Sequence, residues 1–204
     1  DVTEKVKAND RLHFLAEHDP LTGILNRRGI EKEFDEAVAM LGDGVSMSLA
    51  YLDLDRFKLI NDLFGHLAGD EVLKQVCERV RNMLTEGQSM GRVGGDEFVI
   101  VFKGTPIDSA AWVCRGIVDR IGNLPYQIGD RAFQVKGSIG LMEISESIRV
   151  KDAISVADRA CREAKSGNHG NPVIYDRHSP VFREREDELR LIARFGTNVA
   201  PEGL

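Results

Sequence analysis

Four acids stand out. Asp53 and Asp55 close the apolar run "SMSLAYLDLD", and Asp96 and Glu97 follow two glycines in "GRVGGDEFVIVF". Residues two apart on a strand share a face, so Asp53 and Asp55 project together from one sheet edge. The second stretch reads as strand, two-glycine turn, strand, which carries Asp96 and Glu97 to a hairpin turn. With that hairpin beside the first strand, three or four carboxylates converge and repel one another unless a cation sits among them. Oxygen-only ligands suit Mg²⁺ or Mn²⁺, bound by one or two carboxylates together with the phosphates of a substrate. This is a layout for metal-assisted phosphoryl or nucleotidyl transfer. A Gly-Gly-Asp turn alone is an ordinary hairpin, and an acid at a strand end is an ordinary solvated exit; the inference needs both.

The next stretch, "FKLINDLFGHLAGDEVL" (57–73), supplies candidates for holding a nucleotide. After Asp55 the chain turns into a short helix whose first N–H groups are free for phosphate oxygens, and Lys58 adds positive charge there. Asn61 carries a donor and an acceptor, and Asp70 accepts from two N–H groups; together they match the edge of guanine. The other reading makes Asn61 and Asp70 helix caps, Asp70 opening a long helix. No glycine is followed directly by lysine, so there is no P-loop, and neither HExxH nor a serine nucleophile elbow occurs. His66 and His169 lie beside glycines in loops.

Helices and strands must hold these groups in place. Periodicity predicts a helix over 26–42 capped by Asn26, a central strand over 45–55 and an amphipathic helix over 70–84. Further on it predicts the 90–102 hairpin, a helix over 106–124, a hairpin and longer strand over 126–144, a helix over 150–165 and a last strand over 172–176. The order implies an α/β fold with a central mixed, mainly antiparallel sheet flanked by helices. Residues 1–18 read as a connecting helix, 19–176 as one domain, and 177–204 as a charged helix with a tail. Apolar residues make up 42% of the 204 and the net charge is −6, so a core is affordable and duplex nucleic acid is a poor partner. Cys77, Cys114 and Cys161 are far apart and read as buried thiols in a reducing, cytoplasmic setting. No apolar run reaches membrane-spanning length and no signal-peptide pattern is present. The chain starts on Asp1 and reads as a piece of a longer protein.

Taken together, "DPLTGILNRRG" (19–29), "DLDRFKLINDLFGHLAGDEVL" (53–73), "GRVGGDEF" (91–98), "SIG" (138–140) and "ADRACREAK" (157–165) resemble the GGDEF family, the diguanylate cyclases. The resemblance covers roughly residues 17–176. It implies a fold like the palm of polymerases and nucleotidyl cyclases. It also implies condensation of two GTP into cyclic di-GMP across a homodimer, with release of two pyrophosphates. Carried over residue by residue, Asp53 and Asp96 bind the metal with the Leu54 carbonyl, and Asp96 or Glu97 helps deprotonate the ribose 3′-hydroxyl. Phe57 and Lys58 supply phosphate donors, with the Lys58 ammonium stabilising the transition state. Asn61 and Asp70 read guanine, Lys165 reaches the terminal phosphates, and Gly94 and Gly95 let backbone approach the nucleotide.

There are departures from the family pattern. The product-inhibition motif, Arg-x-x-Asp, is replaced at its two ends by Thr85 and Gln88. After Lys165 the chain reads "SGNHGN", so His169 stands where an arginine often clasps phosphate, and Arg162 replaces a frequent tyrosine. The flanks resemble the exit of a PAS sensor domain and the approach to an EAL phosphodiesterase domain. The implied parent is a sensor protein, soluble or membrane-attached. A GTP-binding module that turns over little and controls an attached EAL domain is the alternative to an active cyclase.

Overall fold

Strand β1 (Met47–Asp55) is buried along its first six residues on both faces, which places it in the middle of a sheet. A computed structural model describes residues 14–41, 44–144, 148–167 and 170–179. Around β1 it arranges β2 (Gln88–Arg92), β3 (Glu97–Lys103), β6 (Lys136–Glu143) and β7 (Val173–Ile174) in the order β2-β3-β1-β6-β7. All neighbours are antiparallel except β6 and β7, which are parallel. The expected α/β class with a mixed, mainly antiparallel sheet is the one observed. The hairpin β4 (Tyr126–Ile128) and β5 (Arg131–Phe133) pairs with itself as a separate two-stranded sheet.

Helices cover both faces. On one side α3 (His66–Arg81) and α4 (Ile107–Gly122) bring Val72, Leu73, Val76, Val80, Ile117 and Ile121 against Leu52, Leu54, Phe98, Ile100 and Ile139. The short helix α2 (Phe57–Phe64) joins this layer through Phe57 and Ile60. On the other side lie α1 (Arg27–Val38) and α5 (Val150–Gly167). Asn26 caps α1 as expected: its Oδ1 accepts from Gly29 N at 2.9 Å.

Helix α5 buries a stripe of small residues, Ala153, Ala157, Ala160, Cys161 and Ala164. Small side chains let a helix sit close to a sheet, and Gly140 on β6 completes the contact. A Cβ at position 140 would lie 2.1 Å from Cys161 N and 2.2 Å from Ala157 O. The clash is with backbone, so neither partner can swing aside. The same close packing sets how far Lys165, at the end of α5, can reach over the sheet edge.

Several boundaries differ from expectation. The long helix predicted to open at Asp70 begins at His66, because Gly65 at φ 87° ends α2 and starts α3 without a gap. Helix α1 stops at Val38 rather than 42, and the last strand shrinks to two residues. Among the described residues, those from 14 through Ile174 form one compact unit, and Tyr175 lies past its boundary. Of the N-terminal connecting helix, residues 14–17 are helical and the rest lies outside the described residues. The expected C-terminal helix also lies outside them. No helix of the described residues is long and apolar enough to cross a membrane. The three cysteines are buried and free, as expected.

Gly140→Ala should separate α5 from β6 and cost about 3 kcal/mol or more, roughly 6–12 °C in Tm, as checked by urea and thermal unfolding. A variant as stable as the parent would show that the contact relaxes freely.

Candidate active site

The β1–β3 ladder builds the site. Asp53 stands opposite Glu97 in register, and Leu54 N donates to Asp96 O at 3.2 Å. The hairpin therefore does lie beside the first strand. Its turn is closed by Val93 N and Gly94 N, which donate to Glu97 O at 3.0 and 3.3 Å. Glu97 folds back over this turn: a Cβ on Gly94 would lie 2.0 Å from its Oε2. Gly94 is thus needed by Glu97 itself, whereas Gly95 faces open space. Tyr51 is buried beside Glu97, and burial first, then the nearby Glu97 carboxylate, holds the phenol proton far more firmly than usual.

Arg92, which the sequence did not single out, braces the turn. Its Nε donates to Gly94 O at 3.2 Å and to Gly95 O at 3.0 Å, and a second guanidinium nitrogen donates to Gly95 O at 2.7 Å. The remaining nitrogen meets Asp19 at 3.3 Å. Asp19 also accepts from Thr22 N at 2.9 Å and Thr22 Oγ1 at 2.7 Å. Burial alone would raise the Asp19 pKa, but the Thr22 bonds and Arg92 outweigh it and lower it. The brace ties the glycine pair to the start of the domain.

The acids do not play equal parts. Asp55 accepts from Ser138 Oγ at 2.9 and 3.2 Å and serves the scaffold. Lys165 Nζ lies 2.6 Å from Asp53 Oδ1 and 3.9 Å from Asp55 Oδ1. Burial raises the pKa of Asp53, with Asp96 and Glu97 adding to the rise and Lys165 opposing it. Asp96 is raised for the same first reason, and then by Glu97. Burial alone would lower Lys165, but the Asp53 bond and the surrounding acids raise it on balance. Among the described residues no three acidic, histidine or cysteine side chains form a ready metal cage. The expected convergence of three or four carboxylates is therefore incomplete: Ser138 has taken Asp55, Glu97 folds back over its own turn, and Asp53 is paired with Lys165.

Two carboxylates carrying negative charge that burial penalises are a fit for Mg²⁺ or Mn²⁺. Such ions take oxygen donors and keep positions for water and phosphate. Asp53 and Asp96, with the Leu54 carbonyl, would hold it.

Beside the acids, α2 opens at Phe57 with no side-chain cap. Its preceding residue, Arg56, is left-handed at φ 57°, a strain on the order of 1 kcal/mol for a non-glycine residue. Leu59 N already donates to Arg56 O at 3.0 Å, which leaves the N–H groups of Phe57 and Lys58 for a ligand, and the Lys58 side chain is exposed next to them. Asn61 and Asp70 are half-buried, and the cap readings fail for both. Asp70 is four residues inside α3, and no side chain caps that helix. Arg162 pairs with Asp158 on the exposed side of α5. His169 lies outside the described residues. A cleft of about 700 Å³ between Arg56, Leu63, Phe64 and Lys136 opens next to Asp55 and Lys165.

The family model described as "Diguanylate cyclase, GGDEF domain" matches residues 16–171. The probable diguanylate cyclase DgcE of Escherichia coli K12 is 31% identical over 178 residues, 86% of this chain and 16% of that protein. The cyclic di-GMP phosphodiesterase PdeR of the same organism is 34% identical over 186 residues, 91% of this chain and 27% of that protein. The chain thus spans well under a third of these curated relatives. Among solved structures, the coiled coil and GGDEF domain of DgcB from Caulobacter crescentus, in complex with c-di-GMP, matches with a TM-score of 0.79. Its identity is 24%, over 85% of this chain and 93% of that one, and it shares the fold. The site is thus set in a matching sequence as well as a matching fold, and the chain belongs to the GGDEF family of diguanylate cyclase domains.

Proposed function

We propose that the chain is the catalytic domain of a diguanylate cyclase, joining two GTP molecules into cyclic di-GMP. The observation that carries this reading is the juxtaposition of Asp53, Asp96 and Glu97 with Lys165 and the uncapped start of α2. Asn61 and Asp70 take the guanine edge, and the first N–H groups of α2, with Lys58, take phosphate oxygens. Lys165 is already held over Asp53, within reach of a terminal phosphate brought to that edge.

The reaction joins the 3′-oxygen of one GTP to the α-phosphorus of the other; the bond from that phosphorus to the bridging oxygen breaks and pyrophosphate leaves. With Asp96 given to the cation, Glu97 accepts the 3′-hydroxyl proton. Bound Mg²⁺ or Mn²⁺ supplies charge neutralisation at the phosphates. One chain has one such site, so two copies must face each other and the step occurs twice. The upstream PAS-like sensor and downstream EAL domain belong to this reading as partners in a longer protein. So does a cytoplasmic location, where GTP is found.

A weakly active regulatory module is the second reading. His169 in place of an arginine favours it, and so does the 34% identity to a phosphodiesterase whose length this chain covers only in part.

Incubation with GTP and Mg²⁺ at high protein concentration, read by chromatography and mass, should yield cyclic di-GMP. Asp96→Ala should reduce the yield roughly 100-fold or more. GTP bound but unconverted would decide for the regulatory module.

Thr85 N donates to Gln88 Oε1 at 3.1 Å, and Gln88 N donates to Thr85 O at 3.1 Å. The pair closes on itself and offers neither a guanidinium nor a carboxylate to a product molecule. Calorimetric titration of cyclic di-GMP into the nucleotide-free chain should show no binding tighter than about 10 µM.

The raised Asp96 has a stability consequence. An acid with its folded pKa above its unfolded one contributes stability below the unfolded value and loses it as pH rises through the folded value. At pH 7 the charged Asp96 therefore weakens the metal-free fold. Asp96→Asn should raise Tm by roughly 2 °C at pH 7, and the gain should shrink toward the carboxylate range. An unchanged or lower Tm would contradict this.

A further inference from the structure

Gly69 lies in the first turns of α3, one residue before Asp70, and is buried. Glycine is the poorest ordinary residue for a helix interior, so its presence there weakens α3 unless the space it leaves is used. A Cβ at position 69 would lie 1.9 Å from Asn61 Oδ1, 3.0 Å from Asn61 Cγ and 3.1 Å from Phe57 Cζ. All three atoms belong to site residues, and none is backbone. The Asn61 amide ends a short side chain that can turn about two bonds. A methyl at 69 would therefore push the amide aside rather than part the helices. The amide caps neither α2 nor α3, so its seat against Gly69 is what sets its direction.

We propose that Gly69 is a positioning residue for base recognition: the bare backbone at 69 is the seat that aims the Asn61 amide, beside Asp70, at the guanine edge. The proposal rests on the guanine reading given above. It makes Gly69 a determinant of base selectivity that acts through Asn61 and touches no nucleotide itself. It also accounts for a helix-weakening residue in a helix that otherwise has a regular apolar stripe. The functional cost of filling the seat is then separable from any cost to the fold, because Ala is the better helix former.

The test compares the parent chain with Gly69→Ala, Asn61→Ala and the double variant. Calorimetry with Mg²⁺ measures affinity for non-hydrolysable GTP and ATP analogues, and thermal melts follow the fold. Gly69→Ala should keep or raise Tm, weaken the GTP analogue about tenfold and reduce the GTP-over-ATP preference by a similar factor. The double variant should bind no more weakly than Asn61→Ala alone, because the seat has no purpose without the amide. An unchanged preference in Gly69→Ala, or additive losses in the double variant, would overturn the proposal. So would an early melt of Gly69→Ala that removing the Asn61 side chain does not relieve. If the parent binds no GTP, or Asn61→Ala binds it as well as the parent, the guanine reading itself falls and takes the seat with it. If Asn61→Ala weakens binding and Gly69→Ala does not, the guanine reading stands and only the seat falls.

Discussion

The site depends on one antiparallel ladder, β1 against β3. The pairing that buries Leu52 beside Phe98 in the core also sets Asp53 opposite Glu97 and bonds Leu54 N to the Asp96 carbonyl. Both strands are buried on both faces, so a one-residue slip would exchange those faces and misfit each apolar side chain against the opposite helix layer. The register is thus fixed by hydrophobic burial over several residue pairs, and the acids at its end have no freedom to part. Core formation holds like charges together at the sheet edge, and in the proposed function a divalent cation with a triphosphate would relieve that repulsion.

Two further pieces complete the electrostatics. Helix α5 comes close to the sheet through its alanines and Gly140, and this brings the Lys165 ammonium to Asp53. In the absence of nucleotide that lysine is the local countercharge. In the proposed reaction, arriving phosphates would draw it off the carboxylate and free Asp53 for a cation. On the other flank, Arg92 satisfies the two glycine carbonyls and is itself held by Asp19. The turn can bear Asp96 and Glu97 in adjacent positions because its backbone is pinned from behind.

Much of this could be read in advance where the signal was local. The Asn26 cap, the buried run ending in Asp53 and the strand–glycine–strand pattern around Asp96 each arise within a dozen residues, and each formed. The start of α3 is hidden in the sequence because Gly65 and Gly69 lower helix propensity just where the helix begins, which makes Asp70 resemble a cap. The Arg92–Asp19 brace spans 73 residues and carries no periodicity. Its one signal was an arginine two residues ahead of the glycine pair. The Lys165–Asp53 contact is longer still in sequence and could be named only from the family resemblance. Asp55 looked equivalent to Asp53 by alternation, and only the arrival of Ser138 from β6 separates their roles.

The most direct measurement is a crystal structure of the chain with Mn²⁺ and a non-hydrolysable GTP analogue, locating the ion by its anomalous scattering. The account predicts an ion bonded to Asp53 and Asp96 and to the analogue's phosphates, with Lys165 moved from Asp53 to a phosphate and the base against Asn61 and Asp70. An ion or nucleotide bound elsewhere, with the Lys165–Asp53 contact intact, would contradict it.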